Sequence, residues 1–459
     1  MQKYHRTRKR TSQSLLKSSY PSLSEPFREK LPNGVTVIGE SIPSVESIAV
    51  GLWVNFGSRD EKKEENGLTH LIEHMVFKGT EHFTAEELVG TIEGRGGYIN
   101  AFTTKEYSCY YAKVFRNELE PTLSVLADLV IHPLFRKSDL QNERKVVLTE
   151  MQEVYDDPED WGMDFIEEKI FRDSPLSMPI IGKGSTLRSF EADDLRRFHR
   201  KNFTADRIVI SIAGNFEKPA LMDLAYKYFS PLAQSSRIFI RNKPAAGRPH
   251  NCTIRRDVGK QGHLILGAVA PGLDDIRRYA ASMVGVILGE GSSSRLYKSV
   301  REKDGLAYSI YSYGSTYADT GVMGIYACTS TGDFSRAEKR IYETIDEFVR
   351  NGPTNEEVRR AKAQLKAGII FSLENLWDRA SLFARDELYY GAKTKFSESL
   401  ESIEKVTEAE ISEAADSLQR GSLTSVKILP NSARGIAGRL KDSVPGRQTT
   451  KTVRRSRLV

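Results

Sequence analysis

His70-Leu71-Ile72-Glu73-His74 is the stretch of this chain best equipped for chemistry. Histidines at i and i+4 share one face of a helix, so both imidazoles can reach a single ion. Glu73 lies beside His70 on the same surface, and the order H-x-x-E-H reverses the commoner H-E-x-x-H zinc motif. The segment reads as a helix because Leu68, Leu71, Ile72, Met75 and Phe77 recur at helical spacing. Asn66 is expected as its N-cap, and Gly79 lies just past its expected end. The same residues also suit an amphipathic helix with two surface histidines and a solvated glutamate.

Two imidazoles do not complete a catalytic zinc site, which takes three protein ligands and keeps a fourth position open. A helix expected over 137–156 carries Glu143 and Glu150, two turns apart on one face, beside an apolar stripe of Val146, Val147 and Met151. Such an acidic pair also suits a solvated helix edge.

Around these residues the chain alternates strands and helices. A turn at Asn33-Gly34 joins two strands within 30–41, and the apolar run 47–58 suits the centre of a sheet. A helix at 84–94 opens on a capping box of Thr84 and Glu87, followed by a strand pair at 97–104 and 107–115. Helices at about 117–131 and 160–171, a strand at 207–213 and a helix at 216–229 complete this half. The order then repeats: strand 262–270 answers 47–58, helix 276–288 answers the histidine helix, and strands 306–315 and 320–329 answer the strand pair. Helices at 335–350 and 354–372 follow. The fold class expected is therefore α+β, with two homologous α/β-sandwich-like domains whose mixed, mostly antiparallel sheets are covered by helices and close as a clamshell. The boundaries are a disordered basic tail at 1–26, a metal-binding domain at 27–232, a linker at 233–250, a second domain without metal ligands at 251–430, and a second basic tail at 431–459.

Composition narrows the function classes. The 459 residues carry a net charge of +6, but residues 1–24 hold six Lys/Arg and no acid, and residues 431–459 hold eight against Asp442. That leaves 25–430 with a net charge of −7, which disfavours nucleic-acid binding by the folded body. No apolar run approaches the ~20 residues of a transmembrane helix, and a secretory apolar stretch is absent from the first residues. Cys109, Cys252 and Cys328 are scattered, odd in number and set in strand-like runs, so they suit buried structural roles in a reducing compartment. A bacterial cytoplasm fits. The acid-free Arg/Ser-rich start also resembles a mitochondrial transit segment, which leaves a mitochondrial matrix as the alternative.

The pentapeptide at 70–74, Glu150 in "ERKVVLTEMQEV", and the stretches "GLTHLIEHMVFKGT", "NAFTTKEYSCYYAKV" and "REKDGLAYSIYS" together resemble the pitrilysin/insulinase family of inverted zincins. The likeness covers about 27–430 and is greatest to the short two-domain type, which includes bacterial processing-type peptidases and the β subunit of the mitochondrial processing peptidase. It implies one Zn2+ per chain on His70, His74 and Glu150, with Glu73 as general base and Glu143 orienting a ligating imidazole. It also implies that an extended peptide adds to the strand edge at Asn100, Ala101 and Phe102. From the second half, Arg301 and Tyr308 match the family's Arg/Tyr pair, the tyrosine being expected to polarise the scissile carbonyl. Asp160 and Asp164 stand where processing peptidases recognise a basic residue of the substrate; a solvated charge run is the other reading.

A zinc endopeptidase acting on extended peptides or presequences is thus the leading expectation. The alternative is a non-catalytic or partner-dependent subunit of a processing-type heterodimer. A homodimer, or a heterodimer with an inactive homologue, is expected either way, because two domains enclose a substrate incompletely.

Overall fold

Ile48 to Val54 are apolar or Gly at every position, so this segment is shielded on both faces. In the computed structural model, which describes residues 26–235, 241–245, 247–391 and 396–431, it lies inside a six-stranded sheet. The strands are β1 (Phe27–Lys30), β2 (Thr36–Ser41), β3 (Ser47–Val54), β4 (Tyr98–Thr103), β5 (Ser108–Phe115) and β6 (Ile208–Gly214), in the order β1-β2-β6-β3-β5-β4. A second sheet holds β7 (Asn251–Arg256), β8 (Gln261–Ala270), β9 (Ser309–Thr316), β10 (Gly321–Ser330) and β11 (Thr424–Pro430), in the order β7-β11-β8-β10-β9. Apart from the additional β1, the two orders coincide strand for strand. In each sheet one pair is parallel, β2 with β6 and β7 with β11, and the other pairs are antiparallel.

The first half supplies α1 (Leu68–Val76), α2 (Ala85–Glu93), α3 (Leu119–Ile131), α4 (Lys137–Asp156), α5 (Pro158–Ile170), α6 (Gly184–Ser189), α7 (Ala192–Asn202) and α8 (Lys218–Phe229). The second supplies α9 (Arg278–Gly289), α10 (Phe334–Asn351), α11 (Asn355–Ser372), α12 (Leu376–Tyr390), α13 (Phe396–Lys405) and α14 (Glu408–Ala415). Among the described residues, no helix is long and apolar enough to cross a membrane.

Alternation along the strands explains how both faces are covered. Val50, Leu52 and Val54 of β3 pack with Leu71, Ile72 and Met75 of α1 in the core of the first half. Trp53 points the opposite way, into a cluster with Val209, Ala213 and, from α12, Ala380, Phe383 and Ala384. The first sheet therefore wears a helix of the second half. Gly51 makes room for it, because a Cβ there would lie 2.6 Å from Trp53 Nε1 and 3.1 Å from the Trp377 ring.

The exchange is mutual. Leu264, Leu266 and Ala268 of β8 face the second half's own helices, while Ile265 faces Ile166 and Ile170 of α5. Ion pairs add to the join: Arg28 with Glu387 and Arg379 with Glu40, each at 2.6 Å, and the buried Arg59 with Glu106 at 2.5 Å and Asp319 at 2.7 Å. Buried charges of this kind contribute little net stability, but stranding one partner costs about 3–5 kcal/mol.

Two details depart from expectation. Within 233–250, Arg241 forks onto Asp60, and Gly247 N–H donates to Ile170 O, so part of the expected linker is stapled to the first half. Helices α6, α7, α12, α13 and α14 and strands β7 and β11 are not among the elements expected from the sequence. The two basic tails, beyond Pro26 and Asn431, lie outside the described residues.

Candidate metal centre

α1 starts differently from the sequence expectation. The N-cap is Gly67, at φ 98°, and Asn66 instead donates its side-chain amide to Glu61. The Glu61 carboxylate accepts Gly67 N–H at 2.8 Å and Thr69 N–H at 2.7 Å, satisfying helix donors that would otherwise be orphaned. Burial pushes its carboxyl up to about 7, against the pull of these hydrogen bonds. Nothing in "DEKKEENG" marks this glutamate among its acidic neighbours.

With Leu68, Leu71, Ile72, Met75 and Val76 buried, the opposite face of α1 presents His70, Glu73 and His74. α4 lies alongside. Its buried stripe runs through Leu140, Glu143 and Val147, whereas Val146, expected in that stripe, is 43 % exposed. This rotation turns Glu143 and Glu150 toward His74. Glu150 Oε2 stands 3.4 Å from His74 Nε2, and Glu143 Oε2 stands 3.3 Å from Nδ1 of the same ring. Glu143 is in turn held by Lys78 Nζ at 2.8 Å.

One ligand atom each from His70, His74 and Glu150 falls within 4.8 Å of the others. Burial and the neighbouring imidazole push His70 down to about 4, keeping the ring in the neutral form that binds metals. Two imidazoles and a carboxylate fit a zinc-type ion with an open fourth position. Glu73 stands apart from the ligand set. It accepts the Thr103 hydroxyl at 2.5 Å, and burial pushes its carboxyl up. Lys78 and Thr103, which hold Glu143 and Glu73, are neighbours of the site that the motif does not mark.

A cavity of about 740 Å³ opens over these residues. His70, Glu73, His74 and Glu150 line it together with Phe102, Thr103, Glu153, Asp160, Asp164 and Ile181. The acidic run after Glu150 thus splits by role. Asp157 also borders the cavity but caps α5 through Glu159 N–H and Asp160 N–H, and Glu159 accepts the Tyr311 hydroxyl. Asp160 and Asp164, one turn apart, keep their side chains at the cavity. Burial pushes Asp164 up, while the ammonium of Lys105 pulls the other way.

Asn100, Ala101 and Phe102 lie on β4, the terminal strand of its sheet. Ala101 N–H, on the free edge, is held by the side chain of Asn100 at 2.8 Å, so an incoming strand must displace that amide. Arg301 and Tyr308 are not brought to this cavity. Arg301 lies exposed in a π-helical stretch, Tyr297–Lys303, its guanidinium over the Tyr297 ring, and Tyr308 is 61 % exposed.

The doubled sheet order agrees with family comparisons. Residues 36–184 match the model described as insulinase (peptidase family M16), and residues 189–365 match the model described as peptidase M16 inactive domain. The chain belongs to the M16, or pitrilysin/insulinase, family. It is 37 % identical over 78 % of its length to "Uncharacterized zinc protease YmxG" of Bacillus subtilis, 87 % of which is covered. A protein of Mycobacterium leprae, also named an uncharacterized zinc protease, is 34 % identical over 89 % of this chain and 94 % of its own. Among solved structures, a protease from Helicobacter pylori shares the fold with a TM-score of 0.82 at 21 % identity, covering 88 % of this chain and all of its own.

Proposed function

We propose that this chain is a zinc-dependent endopeptidase cleaving extended peptides. The observation that carries the reading is the convergence of His70, His74 and Glu150 beside a separately held Glu73 in one open cavity. Zinc on the first three residues supplies Lewis acidity and makes water a stronger acid. Glu143 fixes the orientation of His74 from behind. Glu73, aimed by Thr103, takes the proton from the attacking water and delivers it to the departing amine nitrogen. The peptide lies along β4, pairing with the edge at Asn100, Ala101 and Phe102 once the Asn100 amide has moved aside. Glu153, Asp160 and Asp164 give the cavity an acidic wall and favour peptides with basic residues.

Arg301 and Tyr308 enter this scheme from a second chain. What supports pairing is their exposure and their absence from the cavity of their own chain. A homodimer supplies them directly, and a heterodimer with an inactive homologue is the other arrangement. The relatives named above are bacterial, which favours a bacterial cytoplasm over a mitochondrial matrix.

Peptidase activity and bound zinc, measured on wild type, Glu73→Gln and Glu150→Gln, test the core of this reading. Glu73→Gln should keep zinc and lose activity by about 10²–10⁴-fold. Glu150→Gln should lose zinc. Wild-type activity in either variant overturns the assignment. Neutralising Asp160 and Asp164 together should slow Arg-containing peptides selectively, and equal slowing of all peptides defeats the specificity claim.

A further inference from the structure

Histidines gather at a second place, outside the cavity. The segment 79–84 leaving α1 turns on itself through Thr80 N–H to Phe83 O and crosses the C-terminal end of α3, pinned there by Glu81 N–H to His132 O and Leu134 N–H to Gly79 O. This brings the rings of His82 and His132 to a centroid separation of 5.2 Å. Asp128, one turn before His132 on α3, is 5 % exposed and puts Oδ1 2.7 Å from His82 Nδ1. One ligand atom from each of the three lies within 4.8 Å of the others. Glu81 Oε2 stands 3.3 Å from His132 Nδ1 and offers a fourth donor at the rim.

We propose that His82, Asp128 and His132 form a second metal site, selective for imidazole-preferring first-row ions such as Zn2+, Co2+ or Cu2+. Two nitrogens and one buried carboxylate oxygen suit these ions, whereas Mg2+ and Ca2+ seek all-oxygen shells. Burying Asp128 needs a compensating charge, which His82 provides only when protonated and a divalent ion provides outright. Both imidazoles reach solvent, so an ion can enter without opening the fold. The ion would staple the segment after α1 to α3, a few residues beyond Lys78, which holds Glu143. This site is independent of the peptidase reading.

The test is a titration of the full metal-free chain with Co2+, followed by visible absorption, and with Zn2+ by calorimetry. Wild type should take two equivalents, and Glu150→Gln should keep the one held by His82. In the Glu150→Gln background, adding His82→Ala should weaken the remaining equivalent by at least about tenfold. Saturating Co2+ should raise the melting temperature of Glu150→Gln but not of Glu150→Gln/His82→Ala. His132→Gln repeats the test if His82→Ala lowers the melting temperature without metal. Unchanged binding on loss of either histidine, or no second equivalent in wild type, overturns the proposal.

Discussion

Thr103 donates its hydroxyl to Glu73 at 2.5 Å, which ties the carboxylate proposed as general base to the end of β4, the strand proposed to pair with the substrate. The bond sets the direction of the Glu73 lone pairs and opposes the effect of burial on its carboxyl. Thr103→Val should lower kcat about tenfold with little change in KM, because a misaimed base costs part of the 10²–10⁴-fold that general-base catalysis contributes. Thr103→Ser, which keeps the hydroxyl, should restore it. Steady-state kinetics on one peptide decide the matter, and an unchanged kcat in the valine variant removes Thr103 from the mechanism.

Glu143 bridges His74 Nδ1 and Lys78 Nζ. Glu143→Gln leaves Nδ1 of the ring without a charged partner and Lys78 without its counter-ion. Zinc affinity, measured by chelator competition, should fall about 10–100-fold. Equal affinities would mean that α1 packing alone orients the imidazole.

Glu61 gives a pH signature. Its carboxyl is raised to about 7 by burial, so its contribution to stability is complete below about pH 4 and is lost as pH rises through 7. Glu61→Gln removes the titration, whatever constant offset it adds. Between pH 5 and 7.5, wild type should lose about 2–3 kcal/mol relative to Glu61→Gln in urea denaturation. Parallel pH dependences would place the folded pKa near its unfolded value.

The exchanged helices predict cooperative unfolding. Phe383 is 4 % exposed and belongs in sequence to the second half, yet it packs against the outer face of the first sheet. Phe383→Ala should cost about 3–5 kcal/mol. It should lower a single calorimetric transition that coincides with the fluorescence change of the Trp53–Trp377 stack. Two separated transitions would show that the halves melt independently.

The divide between what was legible and what was not runs between local and long-range physics. Periodicity located α1, α4 and the strand pair β4–β5, since an apolar stripe is a local property of the chain. The duplicated sheet order was likewise foreshadowed by the repeated succession of strands and helices. Helix α12 is not among the elements expected from the sequence, and nothing local says on which sheet such a helix lands. Glu61 hid in an acidic run because only its three-dimensional neighbours distinguish it from a solvated glutamate. Val146 was placed one helical position wrongly, since the rotation of α4 is set by packing against α1. Arg301 and Tyr308 were expected beside the metal ligands of their own chain, an expectation that holds only if the two sites of the duplicated unit face each other.

Helix exchange also orders events on the ribosome. β6, the last strand of the first sheet, ends at Gly214, but the helix that covers its outer face begins only at Leu376. At about 5–20 residues per second, synthesis of the intervening segment leaves Ile38, Trp53 and Val209 uncovered for roughly 8–32 s. During that interval the nascent chain presents an apolar sheet face that a holding chaperone can occupy and that a second nascent chain can misuse. The half that carries His70, His74 and Glu150 is begun first, yet it is completed only after most of the second half has been made.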